Sequence, residues 1–321
     1  MTDCTLLVFG SDPAPRLDRL SGRARIVYAD DVSLPGLLPS ADALLVWDFT
    51  SDAVRDAWPG AGPRPRWVHT ASAGVDRLLS PELTSSDVVL TNARGVFDQP
   101  IAEYVAGLVI AMAKDFPETW ELQRQRRWQH RETMRLGGSR AVVVGSGPIG
   151  RAIARTLAAL GVEVELVGRT PRETDSEFGR VHGSADLESL LPSADWVISA
   201  APLTNENLGM FDARLFGRMP RTVRFINVGR GPLVVEGDLA DALDRRTIAG
   251  AALDVFEHEP LAADSRLWNL PGLLVSPHMS GDTIGWRDDL AEQFMDNFDR
   301  WAAGEPLLNV VDKQLGYVPV S

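Results

Sequence analysis

Residues 141–161 read AVVVGSGPIGRAIARTLAALG, and this stretch decides the fold of the chain. Residues 141–144 are apolar without polar alternation, which predicts a strand buried on both faces, as in a parallel sheet. Gly145, Gly147 and Gly150 then form G-x-G-x-x-G, and apolar residues at helical spacing follow until Gly161. A strand, this glycine pattern and a helix in that order predict a dinucleotide-binding turn.

Each residue of this turn has a physical reason to be there. Gly145 makes the tight turn, Gly147 lets the backbone approach a pyrophosphate, and Gly150 lets the helix pack closely on the strand. Pro148 and Ile149 open the helix, whose N-terminus offers N–H groups and the positive end of its dipole to the phosphates. A glycine-rich turn without a ligand is the alternative for such a motif on its own. The flanking strand and helix favour cofactor binding by all five residues.

The rest of the chain repeats the alternation of short apolar runs with helix-like or turn-rich segments. The runs are residues 6–9, 26–29, 43–47, 67–70, 88–90, 162–167, 196–200, 223–228, 250–255 and 273–276. Residues 101–115 and 287–301 have helical patterns, and LLPSAD occurs twice, at 37–42 and at 190–195, each time before a predicted strand. These features predict an α/β protein with two similar, doubly wound parallel-sheet domains.

Composition excludes several classes of protein. The net charge of −12 in 321 residues disfavours nucleic-acid and membrane-surface partners. No apolar run approaches the ~20 residues of a membrane helix, and the N-terminus is unlike a signal peptide, so a cytoplasmic location is expected. Cys4 is the single cysteine, and no histidine motif for a metal occurs, so no metal site is expected. The acidic segment 175–180 is predicted to be a solvated turn.

The end of the second strand of this unit bears on the choice of dinucleotide. An NAD-type site places an acidic residue about 20 positions after the glycines, where it binds the adenine ribose 2′-hydroxyl. Gly168 stands there instead, and Arg169 follows it, with Thr170 and Arg172 close behind. An arginine can pair with a 2′-phosphate, so this pattern predicts a preference for NADP(H), with NAD(H) possible. The alternative is that Arg169 is a solvated charge and either cofactor is used.

Three polar residues follow apolar strands, where open α/β folds place their sites. They are Arg230, Glu259 and His278. Reduction of a 2-oxo acid needs a cation for the carboxylate, a proton donor that titrates near neutrality, and a carboxylate that stabilises the imidazolium. Taken singly, Arg230 could form a structural ion pair, Glu259 could be a turn charge, and His278 could be an ordinary loop residue.

The sequence resembles the D-isomer-specific 2-hydroxyacid dehydrogenases over nearly its whole length. The motifs that carry the resemblance are SAGVD at 72–76, AEYVAGLVIA at 102–111, GSGPIG at 145–150, APLTNEN at 201–207, INVGRG at 226–231, LDVFEHEPL at 253–261 and SPHMSG at 276–281. The resemblance implies that Arg230 holds the substrate, that Glu259 pairs with His278, and that His278 protonates the substrate carbonyl oxygen.

The family also implies roles for residues outside this triad. The backbone N–H groups near Ala73 and Gly74 match the loop that receives the substrate carboxylate. Asp254 matches the residue that contacts the nicotinamide amide, and Thr204 lies in the loop that faces the cofactor.

By the same resemblance, the substrate domain is discontinuous and flavodoxin-like, comprising residues 1–99 and 286–321. A Rossmann-type cofactor domain, residues 100–285, is inserted into it, and a homodimer is expected.

The function expected from the resemblance is a D-2-hydroxyacid dehydrogenase or 2-oxo acid reductase, with glyoxylate or hydroxypyruvate favoured because NADP-using relatives often reduce them. Two alternatives stay open: a dinucleotide-binding sensor or corepressor with little turnover, and a phosphite-type dehydrogenase. Val75, Phe97, Met279 and Trp286 are candidate pocket walls, although each could equally belong to a core or an interface.

Overall fold

The computed structural model describes residues 4–319, which divide into two compact units. One unit comprises the described residues up to Phe97 together with those from Thr283 onward, and the other comprises Asp98–Asp282. The divisions lie two and three residues before the domain boundaries expected from the sequence, at 99/100 and 285/286. Among residues 4–319, no helix combines the length and the apolar character needed to cross a bilayer.

The first unit is built on a five-stranded parallel sheet. Its strands are β1 (Thr5–Phe9), β2 (Arg25–Ala29), β3 (Ala43–Val46), β4 (Trp67–Thr70) and β5 (Val89–Asn92). Its helices are α1 (Leu34–Leu37), α2 (Ala53–Ala57), α3 (Pro81–Ser85) and α10 (Trp286–Ala303). The strand order β2-β1-β3-β4-β5 is that of flavodoxin-like folds.

The first unit forms its sheet early in the sequence and covers it with a late helix. The strands β1 and β3 are buried along nearly their whole length, as expected of strands covered on both faces. Phe294 of α10 stacks on Trp67 of β4 with ring centroids 5.2 Å apart. Residues separated by more than two hundred positions therefore share one core.

The second unit contains an eight-stranded sheet. Its strands are β6 (Arg140–Val144), β7 (Glu163–Gly168), β8 (Arg172–Asp175), β9 (Gly179–Gly183), β10 (Trp196–Ser199), β11 (Arg224–Asn227), β12 (Gly250–Leu253) and β13 (Leu273–Val275). Its helices are α4 (Asp98–Ala113), α5 (Phe116–Arg124), α6 (Pro148–Ala159), α7 (Leu187–Leu190), α8 (Ala213–Phe216) and α9 (Glu236–Asp244).

The order of the second sheet is β13-β12-β11-β10-β6-β7-β9-β8, and all neighbours are parallel except β8 and β9. Strand order reverses between β6 and β10, which is the switch point where doubly wound folds bind ligands. The two sheets thus confirm the predicted fold class, a Rossmann-type domain and a flavodoxin-like domain that are both doubly wound. Each predicted strand is present, with its ends within two residues of those predicted.

The repeated LLPSAD has the same structure in both units. In each, a short α-helix continues into a 3₁₀ turn at the Leu-Pro-Ser and then into a strand, β3 or β10. The Asp42 carboxylate accepts a hydrogen bond from the N–H of Thr5 at 2.8 Å, and the Asp195 carboxylate accepts one from the N–H of Arg140 at 2.9 Å. The repeat therefore joins the first strand of each sheet to its neighbour in the same way.

The predicted solvated turn at 175–180 is confirmed in part, because residues 176–178 form the mostly exposed turn between β8 and β9, but the Asp175 side chain is not solvated. Strands β8 and β9 form an antiparallel hairpin at the edge of the sheet, and the Asp175 side chain is only 6% exposed. Asp175 is ion-paired with Arg151 of α6, and this guanidinium holds the pKa of the Asp175 carboxyl well below its usual range. The counter-charge lies 24 positions earlier in the chain, so local acidity gave no sign of it.

Candidate active site

The glycine turn after β6 has the geometry that its sequence predicts. Gly145 has φ +126°, and a Cβ there would lie 2.6 Å from the carbonyl carbon of Ala200. A Cβ on Gly150 would lie 1.7 Å from the Gly145 carbonyl oxygen, so neither position tolerates a side chain. Gly147 is the N-cap of α6 and borders open space.

This turn fits a pyrophosphate. Pro148 and Ile149 begin α6, whose first-turn N–H groups lack intrahelical acceptors. The open space at Gly147 allows a ligand to reach the backbone there, next to the positive end of the helix dipole. The residues present therefore suit the dinucleotide that the motif predicts.

The end of β7 lacks an acid and has little room for one. A Cβ on Gly168 would lie 2.4 Å from the Ser146 hydroxyl oxygen, so an aspartate there would require Ser146 to move. Arg169 follows, and its Nη2 donates to Oε1 of Glu206 at 2.7 Å. Thr170 is exposed beside it. Binding of a 2′-phosphate by Arg169 and Thr170 stays a prediction.

Arg172 lies in β8, and its guanidinium lies next to the carboxylate of Asp175 in the same strand. Its Nε is 3.4 Å from the carboxylate of Asp175. The Nε and Nη2 atoms are buried without a hydrogen-bond partner among residues 4–319. Its predicted contact with the cofactor stays a prediction, because its guanidinium here neighbours a carboxylate of its own hairpin.

A network that the sequence did not reveal fixes the glycine turn to this hairpin. Arg151 donates from Nε to the carbonyl oxygen of Ser146 at 3.2 Å and pairs with both Asp175 and Glu177, the latter at 3.0 Å. One guanidinium thus joins the glycine turn to two hairpin carboxylates that lie 24 and 26 positions after Arg151. The acidic segment 175–180 was the only signal, and its spacing did not identify a partner.

His278 and Glu259 are in direct contact. His278 Nδ1 lies 2.8 Å from Glu259 Oε2, and Oε1 of Glu259 accepts a hydrogen bond from the N–H of Phe256 at 3.0 Å. Because Nδ1 faces the carboxylate, Nε2 is the ring atom left for proton exchange with a substrate. The imidazole is 47% exposed.

Asp254 organises the segment that carries His278. It is 1% exposed, and its Oδ1 accepts hydrogen bonds from the Ser276 hydroxyl at 2.6 Å and the Met279 N–H at 3.0 Å. Its Oδ2 accepts from the Ser280 N–H at 2.9 Å, and its carbonyl oxygen accepts from the N–H of His278 at 2.8 Å. The predicted nicotinamide contact of Asp254 stays a prediction, and this positioning role was missed by sequence reasoning.

Arg230 follows β11, the neighbour of β12 in the sheet. Its Nη1 donates to the carbonyl oxygen of Gly229 at 2.8 Å, and its own carbonyl oxygen accepts from Asn227 at 3.0 Å. A Cβ on Gly231 would lie 1.8 Å from the carbonyl carbon of Phe256. The backbone that carries Arg230 therefore abuts the segment that leads to Glu259.

A reciprocal clasp fixes that segment to α9. The N–H of Glu236 donates to the Glu257 carboxylate at 3.0 Å, and the N–H of Glu257 donates to the Glu236 carboxylate at 2.7 Å. Burial raises the pKa of the Glu236 carboxyl. Because Arg230, Glu259 and His278 follow the adjacent strands β11, β12 and β13, all three lie at the same edge of the sheet.

The remaining predicted residues lie in ordered loops. The N–H of Thr204 donates to the Asn207 side chain at 2.7 Å in the loop after β10. In the first unit, Asn92 donates to the carbonyl oxygen of Ala73 at 2.6 Å, and Ser72 donates to that of Gly74 at 2.6 Å. The binding roles of these loops stay predictions.

The candidate pocket walls have different environments. Val75 is part of the buried core of the first unit, which is the alternative that the sequence allowed. Phe97 is nearly buried, and its ring centroid lies 6.0 Å from that of Trp286. Met279 is exposed.

The chain is similar to known proteins over most of its length. A model of the family "D-isomer specific 2-hydroxyacid dehydrogenase, NAD binding domain" matches residues 106–280. The chain is 32% identical to glyoxylate/hydroxypyruvate reductase B of Salmonella paratyphi B, over 83% of each chain.

Two solved structures are similar over nearly the whole chain. An NADPH-dependent glyoxylate/hydroxypyruvate reductase of Sinorhizobium meliloti, in complex with NADP and sulfate, is 28% identical with a TM-score of 0.82, and 98% of this chain and 100% of that chain are covered. A D-isomer specific 2-hydroxyacid dehydrogenase of Xanthobacter autotrophicus, in complex with NADPH and MES, is 31% identical with a TM-score of 0.83 over 98% of this chain and 100% of that chain.

Proposed function

Because this chain belongs to the D-isomer specific 2-hydroxyacid dehydrogenase family, we propose that it reduces a small 2-oxo acid, glyoxylate or hydroxypyruvate, with NADPH. Membership makes it an NAD(P)-dependent oxidoreductase that acts on 2-hydroxy acids. The observation that carries the proposal is the contact of His278 with Glu259 at the sheet edge where the glycine turn also lies.

The chain's own residues handle the proton and the substrate. When bound, the reduced nicotinamide supplies a hydride to the substrate carbonyl carbon. His278 donates a proton from Nε2 to the carbonyl oxygen, and in the reverse direction it takes the proton of the hydroxyl group. Glu259 stabilises the imidazolium through Nδ1. Arg230 holds the substrate carboxylate as a fork of N–H donors.

Three observations support NADPH as the preferred cofactor, with NADH possible. Gly168 carries no acid, Arg169 follows it, and the similar proteins of Sinorhizobium and Xanthobacter were solved with NADP and NADPH. We assign the 2′-phosphate to Arg169, Thr170 and Arg172, and the nicotinamide side to Thr204 and Asp254.

Further roles follow from the resemblance to the family. Residues 1–99 and 286–321 would form the substrate domain, in which the N–H groups of Ala73 and Gly74 receive the substrate carboxylate. Residues 100–285 would form the cofactor domain. The proposal also includes a homodimer in the cytoplasm.

The names of the relatives support the choice of substrate, since the Salmonella and Sinorhizobium proteins are both glyoxylate/hydroxypyruvate reductases. The test is a panel of glyoxylate, hydroxypyruvate, longer 2-oxo acids and, in the oxidative direction, phosphite with NADP⁺, followed by NADPH absorbance. Turnover of glyoxylate or hydroxypyruvate with the highest kcat/KM is expected.

Other outcomes would replace this proposal. Turnover that is fastest with a longer 2-oxo acid would keep the reaction and change the substrate. Phosphite oxidation alone would make the protein a phosphite dehydrogenase. NADPH binding without turnover of any compound would favour a dinucleotide sensor.

A further inference from the structure

An ion pair joins the two loops on either side of the glycine turn. Arg169 follows β7, Glu206 follows β10, and β6 lies between these strands in the sheet. The contact of 2.7 Å between Arg169 and Glu206 therefore crosses the carboxyl end of β6, where the turn 145–150 begins. We propose that Glu206 sets how strongly this site distinguishes NADPH from NADH, an inference that rests on the dinucleotide site of the proposed function.

Glu206 is held in an ordered turn. The side chain of its neighbour Asn207 accepts a hydrogen bond from the N–H of Thr204 at 2.7 Å and donates one to the carbonyl oxygen of Pro202 at 2.8 Å. These two bonds order the backbone of the loop that carries Glu206. The Glu206 carboxylate contacts Arg169 from this ordered loop.

NADPH and NADH differ in charge at the 2′ position of the adenine ribose, which would lie next to Arg169 and Glu206. A 2′-phosphate brings a charge of about −1.5 to −2, which attracts Arg169 and is repelled by Glu206. The phosphate must share the guanidinium with a carboxylate already bound to it. A ribose 2′-hydroxyl is neutral and can donate a hydrogen bond to a carboxylate.

Glu206 thus supplies from another loop the acid that is missing at Gly168. Its presence weakens NADPH binding and favours NADH binding, so both effects lower the discrimination between the two cofactors. The pair is partly exposed, at 45% for Arg169 and 64% for Glu206, so water screens the effect. A carboxylate about 6 Å from a phosphate in such surroundings changes affinity by about three- to tenfold.

The experiment compares Glu206→Gln with a matched control, Glu163→Gln. Glu163 begins the same strand that Arg169 follows and pairs with Arg140 at 3.2 Å, with a similar exposure of 63%. Each variant removes one paired carboxylate, but Glu163 lies at the opposite end of β7. Dissociation constants for NADPH and NADH are measured by fluorescence titration of the full chain at low ionic strength.

The expected result is a rise of about threefold or more in the ratio of NADH to NADPH dissociation constants for Glu206→Gln, with no such rise for Glu163→Gln. The rise should shrink as salt is added. A smaller rise, a fall, or an equal rise in the control would overturn the proposal.

Arg169→Gln and the double variant Arg169→Gln/Glu206→Gln test whether the effect passes through Arg169. Competition for the guanidinium predicts that Glu206→Gln gains less when Arg169 is absent, whereas direct repulsion between Glu206 and the phosphate predicts a gain that persists. A gain that persists in full would overturn competition for the guanidinium.

Because the readout is binding, it separates this inference from the proposed function. If the protein binds both nucleotides and the ratio of dissociation constants shifts as expected, but no 2-oxo acid is reduced, only the proposed function is overturned. Turnover with an unshifted ratio would sink only the role of Glu206. Failure of the unsubstituted protein to bind either nucleotide would overturn both.

Discussion

His278 takes its orientation from two neighbours in the same unit. The Glu259 carboxylate lies 2.8 Å from Nδ1, and the main chain of Asp254 accepts the His278 N–H. His278 also has φ +51°, a left-handed conformation that is uncommon for residues other than glycine, although asparagine, aspartate and histidine adopt it more often than the rest. The structure therefore maintains an uncommon backbone at the residue to which the chemistry is assigned.

Replacing His278 tests its role as the proton donor. We expect His278→Ala to lower kcat by about 10²- to 10⁴-fold while the dissociation constant for NADPH stays unchanged. His278→Asn is the control for the backbone, since asparagine tolerates left-handed φ but cannot exchange the proton. Steady-state kinetics and NADPH titration measure the two effects. An equal loss of cofactor affinity would make His278 a structural residue.

Arg169→Asp tests the assignment of the 2′-phosphate. The change removes the cation and adds a repelling charge, so NADPH binding should weaken far more than NADH binding. Arg140→Asp, at the other end of the sheet, is the matched control. The test compares the Michaelis constants for NADPH and NADH in both variants. Unchanged discrimination would move the phosphate site elsewhere.

Site residues near the ends of apolar strands could be predicted from the sequence. Residues whose partners are distant in the sequence could not. His278 and Glu259 were found because each lies within a few residues of the end of an apolar strand. Arg151 was not, because its partners Asp175 and Glu177 come from a hairpin that no apolar pattern marks.

Among the elements, the segment 276–280 depends on one buried carboxylate. Asp254 lies just past the end of β12 and accepts hydrogen bonds from three groups of the segment that follows β13. Two neighbouring strands are thereby joined at their carboxyl ends. Any loosening of this joint should displace His278 relative to Glu259.

Asp254→Asn should therefore lower both stability and kcat. An amide cannot accept the Ser280 N–H on its nitrogen side, and the loss of charge-assisted bonds should cost about 2–3 kcal/mol in the free energy of unfolding. Ser276→Ala removes a single bond to the same carboxylate and should cost about 1 kcal/mol. Urea unfolding measures both. Equal costs for the two variants would contradict the organising role of Asp254.

Whether an element was predictable depended on how it is buried. Strands such as β6 and β10 are covered on both faces, so their sequences are uninterrupted apolar runs. The hairpin of β8 and β9 lies at the sheet edge, and its RETD and GRVHG sequences contain a single large apolar residue, Val181. The edge strand β8 pairs with β9 alone and needs few apolar residues, so the sequence shows no apolar run at this hairpin.

For the molecule as a whole, a buried histidine links stability to pH. His69 is fully buried in the first unit, with Nδ1 2.8 Å from the Thr91 hydroxyl oxygen and its ring 5.4 Å from that of Phe294. Burial lowers the pKa of His69 from 6.5 to about 3. The folded protein thus binds fewer protons than the unfolded chain between these values.

The free energy of unfolding should fall as the pH falls, because the unfolded chain binds a proton that buried His69 does not. The contribution of His69 is fully present above pH 6.5 and is lost as the pH falls toward 3, at about 1.4 kcal/mol per pH unit. His69→Gln, which does not titrate, should flatten the slope of unfolding free energy between pH 4 and 6 by about one proton. The exposed His130→Gln is the control. An unchanged slope in His69→Gln would contradict this linkage.

At this largest scale, the alternation of apolar runs predicted two doubly wound sheets, and the glycine turn identified the one that belongs to the dinucleotide. The order of the strands in each sheet could not be predicted from the residues, because it depends on pairing between segments that are distant in the sequence. The LLPSAD repeat was the exception, since six residues encoded the same joint in both sheets.

The split construction of the first unit has a consequence for synthesis on the ribosome. Residues 98–282 form the second unit without interruption, so it can fold as soon as they emerge. The earlier segment is completed later, because Trp67 packs against Phe294, Phe298 and Trp301 of α10, and Leu90 of β5 accepts a hydrogen bond from the N–H of Val311. The apolar side chain of Trp67 therefore lacks these partners until α10 has been synthesised.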